Sequence, residues 1–157
     1  LKHRGLTLIE LMIVLMVMGL MLGLGVVQYN QAQSRSLARQ GAAQIVHELE
    51  RARAEAKRLN QARSVRFSLG SNATSFQVLD AAGAVLRTVQ LPVGLIMPAA
   101  QVNNLPATPP VTVSFLPPYG LVANYAGRVV VQLRLKREQE IRNTVELVSL
   151  LGKVIVR

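Results

Sequence analysis

The chain contains no cysteine and no tryptophan. Without Cys there is no disulfide staple and no thiolate metal site, although this leaves the redox compartment open. Aromatic residues make up 4% of the chain, too few to build a stacking surface for bases. Histidine is nearly absent: His3 lies at the N-terminus and His47 in a long polar-apolar stretch. From Ser64 onward there is no His, and the acids are Asp80, Glu138, Glu140 and Glu146. Glu138 and Glu140 flank Gln139 at an expected hairpin tip, which reads as a solvated pair. Nothing in this inventory makes a nucleophile elbow, a phosphate loop or a metal cluster. We therefore expect no enzyme activity, no metal and no cofactor. Acids are scarce throughout: 8 Asp and Glu face 18 Lys and Arg, a net charge of +10. That balance favours phosphates, lipid head groups or acidic proteins as partners, although a plainly solvated arginine-rich surface gives the same totals.

What the chain does have is one long apolar run. Leu6 to Val27 is almost unbroken, and 22 helical residues reach roughly 33 Å, enough to cross a bilayer core. A short basic segment, Leu1-Lys2-His3-Arg4-Gly5, precedes it. A start at Leu1 points to an alternative start codon or trimmed numbering. A secretory signal would have a shorter apolar core and a small-residue cut site on its far side. Gly19, Gly23 and Gly25 follow the middle of the run, but there is no A-x-A. Basic residues ahead of the run favour a cytoplasmic N-terminus, with the remainder outside. Gly19 and Gly23 also form a G-x-x-x-G, which permits close helix approach but is common in membrane helices.

Residues 28–63 contain no proline, and Leu37, Gly41, Ile45, Leu49, Ala52, Ala56 and Leu59 recur at steps of three and four. That is one apolar stripe on a helix. Glu48 with Arg51, Glu50 with Arg53 and Glu55 with Arg58 are expected to support it as i,i+3 pairs. No turn signal interrupts the passage from the apolar run, so the pattern predicts one helix over about 7–61, bending at its glycines. From Ser64 the period becomes two. Strands are expected at 65–69, 75–79, 85–91, 111–116, 129–136, 144–150 and 153–157. The turns are Gly70-Ser71-Asn72, Asp80-Ala81-Ala82-Gly83, Pro117-Pro118-Tyr119-Gly120 and Leu151-Gly152, and Pro98 to Pro110 is expected to be a loop. Phe67, Phe76, Phe115, Tyr119 and Tyr125 are expected in the core or in turns. The fold class is α+β: a long N-terminal transmembrane and amphipathic helix packed on a C-terminal antiparallel β-domain. Its divisions are 1–5, a leader; 6–27, a transmembrane segment; 28–63, the amphipathic continuation; and 64–157, the β-domain.

Glu10 is out of place. A carboxylate inside a membrane helix costs a few kcal/mol and generally has a partner or a function. Ile9, Leu11, Met12 and Ile13 cannot satisfy it. A cut after Gly5 would create an amine at Leu6, one helical turn away, in the same chain or a neighbouring one. Snorkelling or protonation near the boundary is the simpler alternative.

Arg4-Gly5-Leu6-Thr7-Leu8-Ile9-Glu10-Leu11-Met12-Ile13-Val14 resembles the processing signal of type IV pilins and type II secretion pseudopilins. The resemblance implies cleavage between Gly5 and Leu6 by a prepilin peptidase, N-methylation of Leu6, and a filament-docking role for Glu10. It implies other pilins or pseudopilins and an inner-membrane assembly platform as partners. The protein would be a single-pass inner-membrane protein before assembly, with a periplasmic or extracellular β-domain, and part of a pilus or pseudopilus afterwards. Leu6 departs from the commoner Phe or Met. Glu10 argues against the tip-capping role, whose subunit usually lacks it. Loss of Lys2 and Arg4 with the leader would lower the charge from +10 to +8.

The C-terminal region is similar to the GspH/FimT branch of minor pilins. The residues that carry this are Phe115-Leu116-Pro117-Pro118-Tyr119-Gly120 and the stretch from Val145 to Val156 around Gly152-Lys153. There is one extra residue before Gly120, and lysine stands where that branch has arginine. Some FimT-like members bind DNA for natural transformation through a C-terminal Gly-Arg-x-Arg. This chain has Gly152-Lys153-Val154-Ile155, with Arg157 two residues on. In a strand Lys153 and Arg157 share a face. With Arg128 and Arg142, and with Arg134, Lys136 and Arg137 to widen the patch, they are the candidate contacts for sequence-independent DNA binding.

Overall fold

The computed structural model describes residues 7–123, 128–137, 141–148 and 153–156. They fall into two compact units, Leu1–Arg35 and Ser36–Arg157. One helix, α1 (Leu8–Leu59), has residues in both.

In the first unit every described large apolar side chain is exposed, among them Leu8, Ile9, Leu11, Met12, Leu15 and Met21. A helix that is apolar all round and buries nothing against its own chain needs an apolar environment from elsewhere. By length and composition this segment can cross a membrane.

The second unit has a conventional core. The helix contributes Ala38, Ala42, Ile45, Leu49, Ala52 and Ala56 to it, all buried. The stripe read from the sequence is recovered from Gly41 to Ala56, with Ala38 buried in place of the half-buried Leu37 and with Leu59 exposed. The helix stops because Asn60 adopts φ 49° and the Gln61 amide donates back to the Ala56 carbonyl at 3.3 Å. That left-handed residue with its six-to-one bond is a Schellman cap.

The strands are β1 (Arg63–Phe67), β2 (Ser75–Leu79), β3 (Val85–Gln90), β4 (Leu95–Ile96), β5 (Ala100–Val102), β6 (Leu105–Pro106), β7 (Val111–Leu116), β8 (Leu121–Val122), β9 (Val129–Leu135), β10 (Ile141–Leu147) and β11 (Val154–Val156). They form two antiparallel sheets, one ordered β3-β2-β1-β7-β8 and the other β11-β10-β9-β5-β6 with β4 also on β9. Alternation decides which face packs. Val65 and Phe67 of β1, Phe76 and Val78 of β2, and Val111, Val113 and Phe115 of β7 point into the core. Phe67 and Phe76 stack at 5.5 Å between ring centroids. Each such buried side chain contributes about 1.5–3 kcal/mol.

The proline-rich stretch from Pro98 to Pro110 departs from the expected loop. It carries β5 and β6, joined by Asn103 (φ 56°) and Asn104 (φ 64°). Two consecutive positive φ values make a type I′ hairpin turn, and asparagine is among the few residues that tolerate them. Gly41 explains another approach. A Cβ there would lie 2.1 Å from Leu95 Cδ2, so β4 rests directly on the helix backbone.

Candidate functional site

At the start of α1 the sequence is Thr7-Leu8-Ile9-Glu10. Thr7 N–H donates to Glu10 Oε2 at 2.9 Å, its hydroxyl donates to the same oxygen at 2.8 Å, and Glu10 N–H reaches Thr7 Oγ1 at 3.3 Å. This is a capping box: the two side chains satisfy each other's orphan backbone donors. Glu10 therefore has a partner on its own chain, contrary to the expectation that no near neighbour can satisfy it. Among the described residues no hydrogen bond reaches its other oxygen, Oε1. Gly5 and Leu6 lie outside the described residues.

The helix carboxylates pair differently from the i,i+3 expectation. Arg51 binds Glu55, four residues on, at 3.0 Å. Arg87 reaches over from β3: its Nε donates to Glu48 Oε2 at 2.8 Å, its Nη2 lies 2.7 Å from that oxygen, and its Nη1 reaches Glu55 Oε1 at 3.3 Å. Arg63 Nε stands 3.8 Å from Glu55 Oε2, an ion pair without an aligned hydrogen bond. Partial burial pushes the Glu55 carboxyl up. Hydrogen bonds from Arg87 and Arg51, and the charges behind them, more than reverse this and hold it below its ordinary value.

Of the four C-terminal cation candidates, two are described in full. Arg128 grips the buried Glu146 with both Nε (3.1 Å to Oε2) and Nη2. Its strand end is fixed by reciprocal bonds with Asn103, at 3.0 Å and 2.8 Å. Its guanidinium is thus engaged by an acid. Lys153 is exposed just before β11. The Arg142 side chain and Arg157 lie outside the described residues, as do Tyr125, Glu138, Glu140, Leu151 and Gly152.

Three of the eight acids, Glu48, Glu55 and Glu146, are spent on internal ion pairs. Asp80 accepts from Ala82 and Ala84 N–H in its own turn. No ion pair joins Arg39, Arg53, Lys57, Arg58, Arg66, Arg134, Lys136, Arg137 or Lys153 to an acid among the described residues.

Residues 1–26 match the prokaryotic N-terminal methylation motif. The fold matches Pseudomonas aeruginosa PAO1 type IV minor pilin FimU in two crystal forms. In one, 14% of residues are identical, the TM-score is 0.52, and the alignment covers 76% of this chain and 91% of FimU. In the other the values are 14%, 0.52, 82% and 90%. The fold is that of a type IV pilin. No curated protein matches this pilin-like chain significantly by sequence.

Two features of the pilin-like head add to the sequence reading. Tyr119, expected in the core or in a turn, takes the turn and is 69% exposed. It sits on the β7–β8 turn, next to Gly120 (φ 63°), where a Cβ would meet Arg53 Cγ at 2.8 Å and Lys57 Cε at 3.0 Å. Arg87 was not singled out at all. Its partners lie 39 and 32 residues away, so only the register of β3 on β2 brings it to the helix.

Proposed function

We propose that this chain is a minor-pilin subunit of a type IV pilus or a type II secretion pseudopilus. A prepilin peptidase cuts between Gly5 and Leu6, and Leu6 is N-methylated. Before assembly the subunit sits in the inner membrane, with its N-terminus cytoplasmic and its β-domain periplasmic. An assembly platform then moves it into a filament of other pilins, where its apolar helix packs among theirs. Van der Waals packing between helices, rather than transfer out of water, drives that step.

The observation that carries this reading is the placement of Glu10 in residues 8–23 of the helix, whose other side chains are apolar and exposed. Thr7 occupies one carboxylate oxygen and leaves the other for a neighbour's new amine, a charge-assisted bond of the stronger kind. A fold shared with a minor pilin supports the minor role.

The test is Glu10→Val in the producing strain. Membrane insertion and leader cleavage are expected to be retained, while the chain disappears from sheared filaments. Filaments that still contain the variant at the normal level would sink the docking role. Deletion of the whole chain is expected to reduce piliation or secretion.

A further inference from the structure

The β1–β2 turn carries a group that neither the core nor filament docking uses. Of the seven asparagines in the chain, Asn72 alone stands two residues before a hydroxyl, in Asn72-Ala73-Thr74. The backbone around it is fixed. Ala73 N–H donates to the Gly70 carbonyl at 3.2 Å and closes a β-turn with Ser71 and Asn72 at its centre. Met97 N–H donates to the Ala73 carbonyl at 2.9 Å, and Leu91 N–H to that of Thr74 at 2.8 Å. Ala73 is half-buried and packs against the core, while Asn72 and Thr74 on either side of it are exposed. Among the described residues no hydrogen bond engages either of these two side chains. They are displayed together and serve no contact within the chain. Turn propensity accounts for Gly70, Ser71 and Asn72, but it asks for no hydroxyl at Thr74.

We propose that Asn72 is a site of N-linked glycosylation, the acceptor of an oligosaccharide carried on a membrane lipid pyrophosphate. This rests on the reading of the chain as a pilin-like subunit whose head is exported. Asparagine, any residue but proline, then serine or threonine is the pattern that sugar transfer to asparagine requires, and it belongs on a surface loop of an exported domain. A carboxamide nitrogen is a weak nucleophile, so the acceptor has to be held against the sugar, and the Thr74 hydroxyl supplies a second hold two residues on. Proline at position 73 would stop the three residues from looping into a transferase, and alanine does not. In the transfer the Asn72 side-chain nitrogen attacks the anomeric carbon of the sugar. The bond from that carbon to the pyrophosphate oxygen breaks, the lipid pyrophosphate leaves, and the amide gives up one proton. The bonds from Leu91 and Met97 have to be open while the segment occupies an active site, so transfer falls between export and completion of the head. A hydrated oligosaccharide cannot be buried between heads, and the β1–β2 turn therefore faces outward from a filament.

Intact mass and peptide mapping of the full chain purified from its own cells test this. The tryptic peptide 67–87 contains Asn72 as its only asparagine. It is expected to carry added mass equal to a sum of sugar residues. Asn72→Gln and Thr74→Ala are each expected to abolish the added mass, and Thr74→Ser to keep it. All three change exposed side chains that make no hydrogen bond among the described residues, so the chain stays folded and in the membrane. An unmodified peptide 67–87 from a chain that has lost residues 1–5 would overturn the proposal. So would sugar that persists in Asn72→Gln or Thr74→Ala, or sugar on another residue only. A chain that keeps residues 1–5 would instead remove the pilin-like reading and this proposal with it, so the leader mass separates the two failures.

Discussion

At the scale of single residues, the capping box changes how Glu10 is understood. A lone carboxylate in an apolar helix looks expensive until Thr7 is counted. The pair also satisfies donors that the helix start leaves open, and the carboxylate lies at the positive end of the helix dipole. Thr7→Val is therefore expected to weaken the first helical turn by about 1 kcal/mol, read as faster amide exchange there in the membrane-embedded protein, with Thr7→Ser restoring protection. Equal exchange in all three would contradict the capping role. The three-residue spacing of Thr7 and Glu10 is present in the sequence, but a search for charged partners passes over a hydroxyl. Arg87 was not legible, because nothing local relates it to Glu48. Arg87→Ala leaves a carboxylate of 8% exposure without its partner and is expected to cost about 2–3 kcal/mol of unfolding free energy, measured by denaturant melts. Glu55 gives the matching pH dependence. Its folded-state pKa is lowered, so its contribution is complete above the ordinary carboxylate range. It fades as pH falls below about 4.3 and through the lowered value. Acid melts should show Arg87→Ala losing this part of the slope.

At the scale of elements, periodicity carried most of the reading. Steps of three and four located the packed half of α1 because Ala, Ile and Leu on one stripe have only one face to bury. The shift to period two located β1, β2, β3, β7 and β9 for the same reason. Where elements are too short to show a period, the reading fell short: β4, β5, β6 and β8 have two or three residues each. Prolines around Asn103-Asn104 masked a two-residue hairpin that the asparagines themselves signal. Gly41 was placed on the stripe as though it were simply small. The structure gives it a stronger requirement, since Leu95 occupies the place of its side chain. Gly41→Ala gains helix propensity of about 1 kcal/mol, yet overpacking costs about 1–3 kcal/mol. The expected net outcome is a modest loss in thermal stability. A gain would show that β4 moves aside freely.

At the scale of the whole molecule, the two units divide the work. Among its described residues the first buries no large apolar side chain and displays an apolar helix that only a membrane or other helices can cover. The second has a core, and among its described residues Glu48 and Glu146 are buried with arginine partners. The N-terminal methylation motif was legible because its residues are contiguous and interpretable without knowing the fold. The head was less legible because its surface chemistry depends on which charges pair across the sheets, as Arg128 with Glu146 shows. The central claim is that cutting after Gly5 creates the amine that an intramembrane Glu10 is placed to meet. Intact mass spectrometry of the protein purified from membranes tests it most directly. The account predicts a chain that has lost residues 1–5 and gained one methyl group. A mass that retains the leader, with no methyl added, would contradict it.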